Sequence, residues 1–94
     1  MLADGLRARH EYWNCPMDDE EIRRLIRDKT ASGDLSTRPP LRTWAGFGTG
    51  QVCAVCGDEI GVEAVEVEAE GADGEKRFYH SRCYVVLSQE RDRV

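Results

Sequence analysis

Cys53-Ala54-Val55-Cys56-Gly57 and, further along, Phe78-Tyr79-His80-Ser81-Arg82-Cys83-Tyr84 decide how this chain is read. They hold a C-x2-C pair and an H-x2-C pair, separated by the 23 residues 57–79. A Cys three residues after another sits across a tight turn, and His80 and Cys83 are i, i+3 neighbours if a helix begins there. Three soft sulfurs and one imidazole suit a tetrahedral Zn(II), with metal–ligand bonds of about 2.0–2.3 Å. The metal-ligand set is therefore Cys53, Cys56, His80 and Cys83, for one Zn(II) per chain. Four protein ligands fill the tetrahedron and leave no position for water or substrate, which points to a structural ion.

Between the two pairs, Val65, Val67 and Ala69 alternate with Glu66, Glu68 and Glu70, the period-2 pattern of a half-exposed strand. Ala72-Asp73-Gly74 supplies the turn, and Lys76 to His80 returns as a second strand. The result is a hairpin with an acidic outer face. A helix is predicted from about Ser81 to Glu90, with Cys83 and Leu87 on one inward face and Val86 beside them. Gly57 suits a turn that aims backbone amides at the cysteine sulfurs.

Upstream, Asp18-Asp19-Glu20-Glu21 reads as a helix start. Asp18 is placed to cap it with Glu21 completing a capping box, and the acidic run faces the positive end of the helix dipole. Ile22, Leu25 and Ile26 then form a narrow apolar stripe, and Gly33 is a natural stop. Arg23, Arg24 and Arg27 lie off that stripe. They read as a solvated face with partners such as Glu20–Arg24, or as a contact face for phosphate or an acidic partner. Arg38-Pro39-Pro40-Leu41-Arg42 cannot be helical throughout and is expected to be an extended linker. Gly46, Gly48 and Gly50 follow without the Lys-Ser/Thr of a phosphate-binding loop. They are expected to let the chain approach closely at the knuckle, with Trp44 and Phe47 packed on the small core.

These residues carry a family resemblance. The two ligand pairs with their flanks resemble the first zinc site of a LIM domain, within the wider treble-clef group of zinc fingers. The resemblance covers roughly residues 51 to 90. A LIM domain would continue with a second set of ligands, and this chain has neither Cys nor His after Cys83, so it matches at most half of one. The chain also resembles small uncharacterised bacterial zinc-finger proteins with a Trp-Gly-rich lead into a C-x2-C. The treble-clef resemblance implies a knuckle, a β-hairpin and a helix whose N-terminus supplies the last ligands. The LIM resemblance further implies a protein partner.

Ninety-four residues make one domain at most, and a core this small usually needs a staple. Residues 1–12 mix charges among the apolar positions, so no secretory signal is expected, and no stretch approaches a membrane span. A cytoplasmic, reducing setting follows, where the four cysteines read as metal-binding rather than as two disulfides. Cys15 is expected to be a free thiol near the first helix, with His10 the other spare ligand.

The formal charge of −5 falls wholly on residues 51–94, which carry five Lys/Arg against ten Asp/Glu; residues 1–50 carry eight of each. That acidity argues against a nucleic-acid surface on the finger. Residues 22–42 hold six basic against two acidic residues, a local +4, and keep the option open upstream.

The expectation is thus a small α+β protein: an N-terminal helix, a Pro/Gly linker, then zinc knuckle, β-hairpin and C-terminal helix, treble-clef-like. Residues 1–15 form a flexible lead, with Tyr12-Trp13 an apolar anchor ahead of the first helix. Residues 16–50 are the helix and linker packing on the finger, and 51–94 the zinc-finger domain. A deaminase or thioredoxin-like reading lacks its required neighbours, and no enzyme is expected. The leading function is a protein-interaction or regulatory adaptor. The alternative is a nucleic-acid-binding regulator, with Arg23, Arg24, Arg27, Lys29, Arg38, Arg42 and Trp44 as candidate partner contacts.

Overall fold

The computed structural model describes residues 17–36 and 38–92. The expectations for residues 1–15, including His10, Tyr12, Trp13 and Cys15, lie outside them. The described elements run α1 (Asp19–Ser32), β1 (Arg42–Phe47), β2 (Val65–Glu70), β3 (Lys76–His80) and α2 (Ser81–Asp92). This is a small α+β fold with one antiparallel sheet in the order β1-β2-β3.

Helix α1 begins where its capping residue sits. The Glu21 backbone N–H donates to Asp18 Oδ1 at 2.9 Å, and three acidic residues fill the first turn. It ends at Gly33, whose φ of 88° is the left-handed conformation in which a side chain is strained. Ile22 and Ile26 are buried and Leu25 is half-buried, as a narrow stripe requires. Each buried aliphatic contributes on the order of 1.5–3 kcal/mol of transfer free energy. Leu35, just past the helix, joins them.

The hairpin follows its sequence pattern closely. Gly71 N–H donates to Glu75 O at 2.9 Å, Asp73 Oδ1 accepts from Glu75 N–H at 3.0 Å, and Gly74 takes φ 82°. Val67, Ala69 and Tyr79 face the helices, where Val86 and Leu87 of α2 complete the core with Val55 and Ile60 from the loop segment. Tyr79 and Tyr84 rings lie 5.4 Å apart between centroids.

Three expectations need correction. Residues 42–47 are not linker but a third strand, paired along its length with β2 from Arg42↔Glu70 to Phe47↔Val65. Trp44 and Phe47 are not in the core: they are 45% and 78% exposed. The register puts Phe47 on the helix-facing side, yet all six residues of β1 are exposed because the strand overhangs the buried cluster. Glu66, expected on the acidic outer face, is only 7% exposed. The loop after β1 folds over it, and Thr49 donates both its N–H (3.2 Å) and its Oγ–H (2.9 Å) to Glu66 Oε1. Glu68 and Glu70 stay half-buried beside Lys76 and Arg42 at 3.5 and 3.2 Å.

Candidate metal centre

The first ligand pair sits on a knuckle built largely from backbone. Val52 and Glu59 form a bridge, Cys53 N–H donates to Asp58 O at 2.9 Å, and Gly57 N–H closes the turn on Cys53 O at 3.0 Å. Gly57 reverses the chain at φ 80°. The approach is held by a close contact between two backbone segments. A Cβ on Gly48 would stand 2.0 Å from Gly61 O, so only glycine fits there. Gly50 N–H to Ile60 O (3.1 Å) and Ile60 N–H to Gln51 O (2.8 Å) complete the junction. This is the close approach expected of the Gly-rich run, located at Gly48.

The second pair comes from the end of β3 and the first turn of α2. His80 is the last strand residue and Cys83 lies in the first turn of the helix. The four ligand atoms of Cys53, Cys56, His80 and Cys83 all lie within 4.8 Å of one another. A tetrahedron with zinc-like bonds has edges of about 3.5–3.8 Å, so small adjustments of side chains close the group on one cation. Cys56 Sγ and His80 Nδ1 already stand 3.3 Å apart, and Nδ1 is thereby the ring nitrogen that faces a sulfur. Cys53, His80 and Cys83 are buried and Cys56 is half-buried. The three cysteines are not joined by disulfides.

Electrostatics favour a cation at this point. Burial opposes an imidazolium at His80, but the sulfurs of Cys53 and Cys56 outweigh it and push the pKa up to about 10. Such a cluster attracts positive charge, whether a proton or a metal ion that displaces it. A further donor steadies one sulfur: His80 N–H points at Cys53 Sγ at 3.4 Å. Gly57 makes the turn expected of it, with its own N–H on Cys53 O, and the amide that reaches a sulfur is that of His80.

The knuckle also lies along the outer edge of β3. Ala54 N–H donates to Phe78 O at 2.8 Å, and the His80–Cys53 contact continues the same edge. From the other side, Lys29 Nζ donates to Ala54 O at 2.9 Å, tying α1 to the C-x2-C turn. Sequence reasoning missed this role of Lys29, because a pairing over 25 residues to a backbone carbonyl leaves no spacing signal.

The candidate contact residues are dispersed. Arg23 and Arg27 reach Glu90 of α2 at 3.8 and 3.2 Å, and Arg23 also meets Glu20 at 3.4 Å. Arg42 pairs with Glu70 and lies 5.7 Å from the Trp44 ring centroid. Arg24 and Arg38 are exposed. Arg82 completes the helix–helix contact by a forked bond to Asp19 Oδ1 at 2.6 and 3.0 Å, holding that carboxyl below its ordinary 3.8. No helix among the described residues is long and apolar enough to cross a membrane.

No protein-family model, curated protein or solved structure matches this chain at a significant level.

Proposed function

We propose that the chain binds one Zn(II) through Cys53, Cys56, His80 and Cys83, and that the ion is structural. The observation that carries this is the convergence of four soft and borderline donors, within 4.8 Å, on a largely buried point. The donor set is complete without a water, and the ligands come from a knuckle and a strand–helix junction, the order that treble-clef fingers use. On this reading the metal fixes a small non-enzymatic scaffold in the cytoplasm whose work is contact with a protein partner, as a regulatory adaptor. Support for that role comes from the exposed apolar side chains Leu41, Trp44, Phe47, Val52, Val62 and Val85 on a domain that otherwise buries its aliphatics.

The nucleic-acid alternative has the weaker support. Of its seven candidate contacts, Arg23, Arg27 and Arg42 are engaged by carboxylates and Lys29 by a carbonyl.

The test begins with metal content by mass spectrometry of the purified full chain, expected at one zinc per chain. The zinc-loaded protein is then titrated with a labelled random oligonucleotide at about 50 and 200 mM salt. No binding at the lower salt agrees with the adaptor reading. Tight, steeply salt-dependent binding, weakened by Arg24→Ala and Arg38→Ala, would replace it with the alternative. A metal-free, folded chain would remove the structural-ion reading altogether.

A further inference from the structure

The two edges of the sheet are treated differently. The β3 edge is covered by the knuckle, whereas no described residue pairs with the outer edge of β1. Which backbone groups that edge presents follows from the ladder. Gly48 N–H donates to Ala64 O and Gly71 N–H to Glu75 O, so even-numbered residues of β2 bond to β1 and odd-numbered ones to β3. The even-numbered residues of β1 therefore face β2, and the N–H and C=O of Thr43, Ala45 and Phe47 point outward. Native edges are usually blunted by proline, lysine or an inward charge. Within β1 the only charge is Arg42, at its first position and paired with Glu70.

From this pattern we infer that β1 pairs antiparallel with β1 of a second copy, forming a six-stranded sheet about a two-fold axis at Ala45. That register matches the three outward-facing residues with one another: Ala45 opposite Ala45, and Thr43 opposite Phe47 of the other copy. Between them, Trp44 falls opposite Gly46, a close pair with Cα atoms about 4.5 Å apart. Space above Gly46 is empty, with nothing within 4 Å of where its Cβ would be, and it receives the Trp44 ring of the second copy. Charge permits the pairing. Arg42 falls opposite Gly48 of the other copy, and the two Arg42 residues end up about 20 Å apart, beyond the screening length of about 8 Å.

The area sets the strength. A fully covered aromatic buries about 150–250 Å², and Phe47 and Trp44 offer only their exposed 78% and 45%. Two copies together therefore cover less than about 1,200 Å², the class of weak, reversible interfaces. The dimer is therefore weak and concentration-dependent.

Sedimentation velocity of the zinc-loaded full chain from about 1 μM to 1 mM reads this directly. Two substitutions spare the protomer. Ala45→Pro removes an outward N–H without touching the β1–β2 ladder, and Gly46→Val places a side chain in the seat for Trp44. The wild type is expected to pass from monomer to dimer across the range, and each variant to weaken that step by about tenfold or more. Circular dichroism and metal content, unchanged in the variants, confirm that the protomer is intact. A wild type that stays monomeric overturns the inference, as does a dimer that survives both substitutions. A dimer seen only after removal of residues 1–16 also overturns it, because it assigns the edge to that segment.

Discussion

The outer strands of the sheet make an instructive pair. Along β3, Ala54 and Cys53 of the knuckle meet the backbone of Phe78 and His80, and Tyr79 is 2% exposed. Along β1 every residue is exposed, and Phe47 stands 78% free. Both strands pair with the same partner by the same ladder. What separates them is the company each keeps: β3 hands its last residue to the Cys3His cluster and runs straight into α2, while β1 overhangs the core. Ordered backbone thus need not imply local packing. Stability should be concentrated on the β3 side and nearly absent on the β1 side.

The largest expected effect is on the metal. Structural zinc contributes about 10–16 kcal/mol of apparent free energy in small fingers, as much as a whole domain's net stability of about 5–15 kcal/mol. Chelation, or Cys83→Ser, should abolish the far-ultraviolet dichroism and amide dispersion of residues 51–92. A chelated sample with an unchanged spectrum would erase the contrast between the two strands.

Next comes a matched pair of truncations. Leu87, 1% exposed beneath the sheet, should cost about 2–5 kcal/mol on replacement by Ala in denaturant titrations. Phe47→Ala, read at low protein concentration, should stay within about 0.5 kcal/mol despite the larger side chain. Equal effects would mean that β1 is packed after all.

Two glycines at the end of β1 sharpen the boundary further. Gly48→Ala drives a Cβ into the Gly61 carbonyl and should destabilise by about 3 kcal/mol. Gly46→Ala meets nothing within 4 Å and should stabilise by about 0.5–1 kcal/mol through the unfolded chain. Thermal melts of the zinc-loaded proteins separate the two.

Much of the β3 side was legible from sequence. The C-x2-C and H-x2-C spacings, the Val/Glu alternation, the Asp73-Gly74 turn and the Asp18 cap are local signals, and the structure realises each of them. Strand β1 was not legible, because Arg42-Thr43-Trp44-Ala45-Gly46-Phe47 follows two prolines and carries a glycine in its interior. Its strand state is imposed by β2, some twenty residues away, rather than by its own propensity. Aromatic content suggested burial for Trp44 and Phe47, but composition cannot say how far a helix layer extends over a sheet. Glu66 was misplaced for the same reason: alternation gave its face correctly but not the loop that folds over that face. The links from Lys29 to the knuckle and from Glu90 to the arginines of α1 are non-local contacts with no periodicity to betray them.

The smallest predicted effect concerns pH. The Arg82 fork is the main cause that lowers Asp19, against a desolvation that raises it. A carboxyl depressed in the folded state adds stability above its unfolded value and loses it as pH falls through the folded value. The difference in melting temperature between wild type and Arg82→Gln should therefore be constant from neutral pH down to about 4, and close below it. A gap that widens in acid would contradict this assignment.

The bond from Lys29 to the Ala54 carbonyl has a consequence for how the molecule opens. The knuckle carbonyl it engages lies between the two cysteines of the C-x2-C pair, so its position is expected to follow whether they are held. Helix α1 supplies none of the four donors, yet its last turns are fastened to the loop that carries two of them. Amide hydrogens in the C-terminal half of α1 should then exchange with solvent deuterium at a rate that follows metal occupancy. A helix remote in sequence from every ligand would report, minute by minute, whether the site is filled.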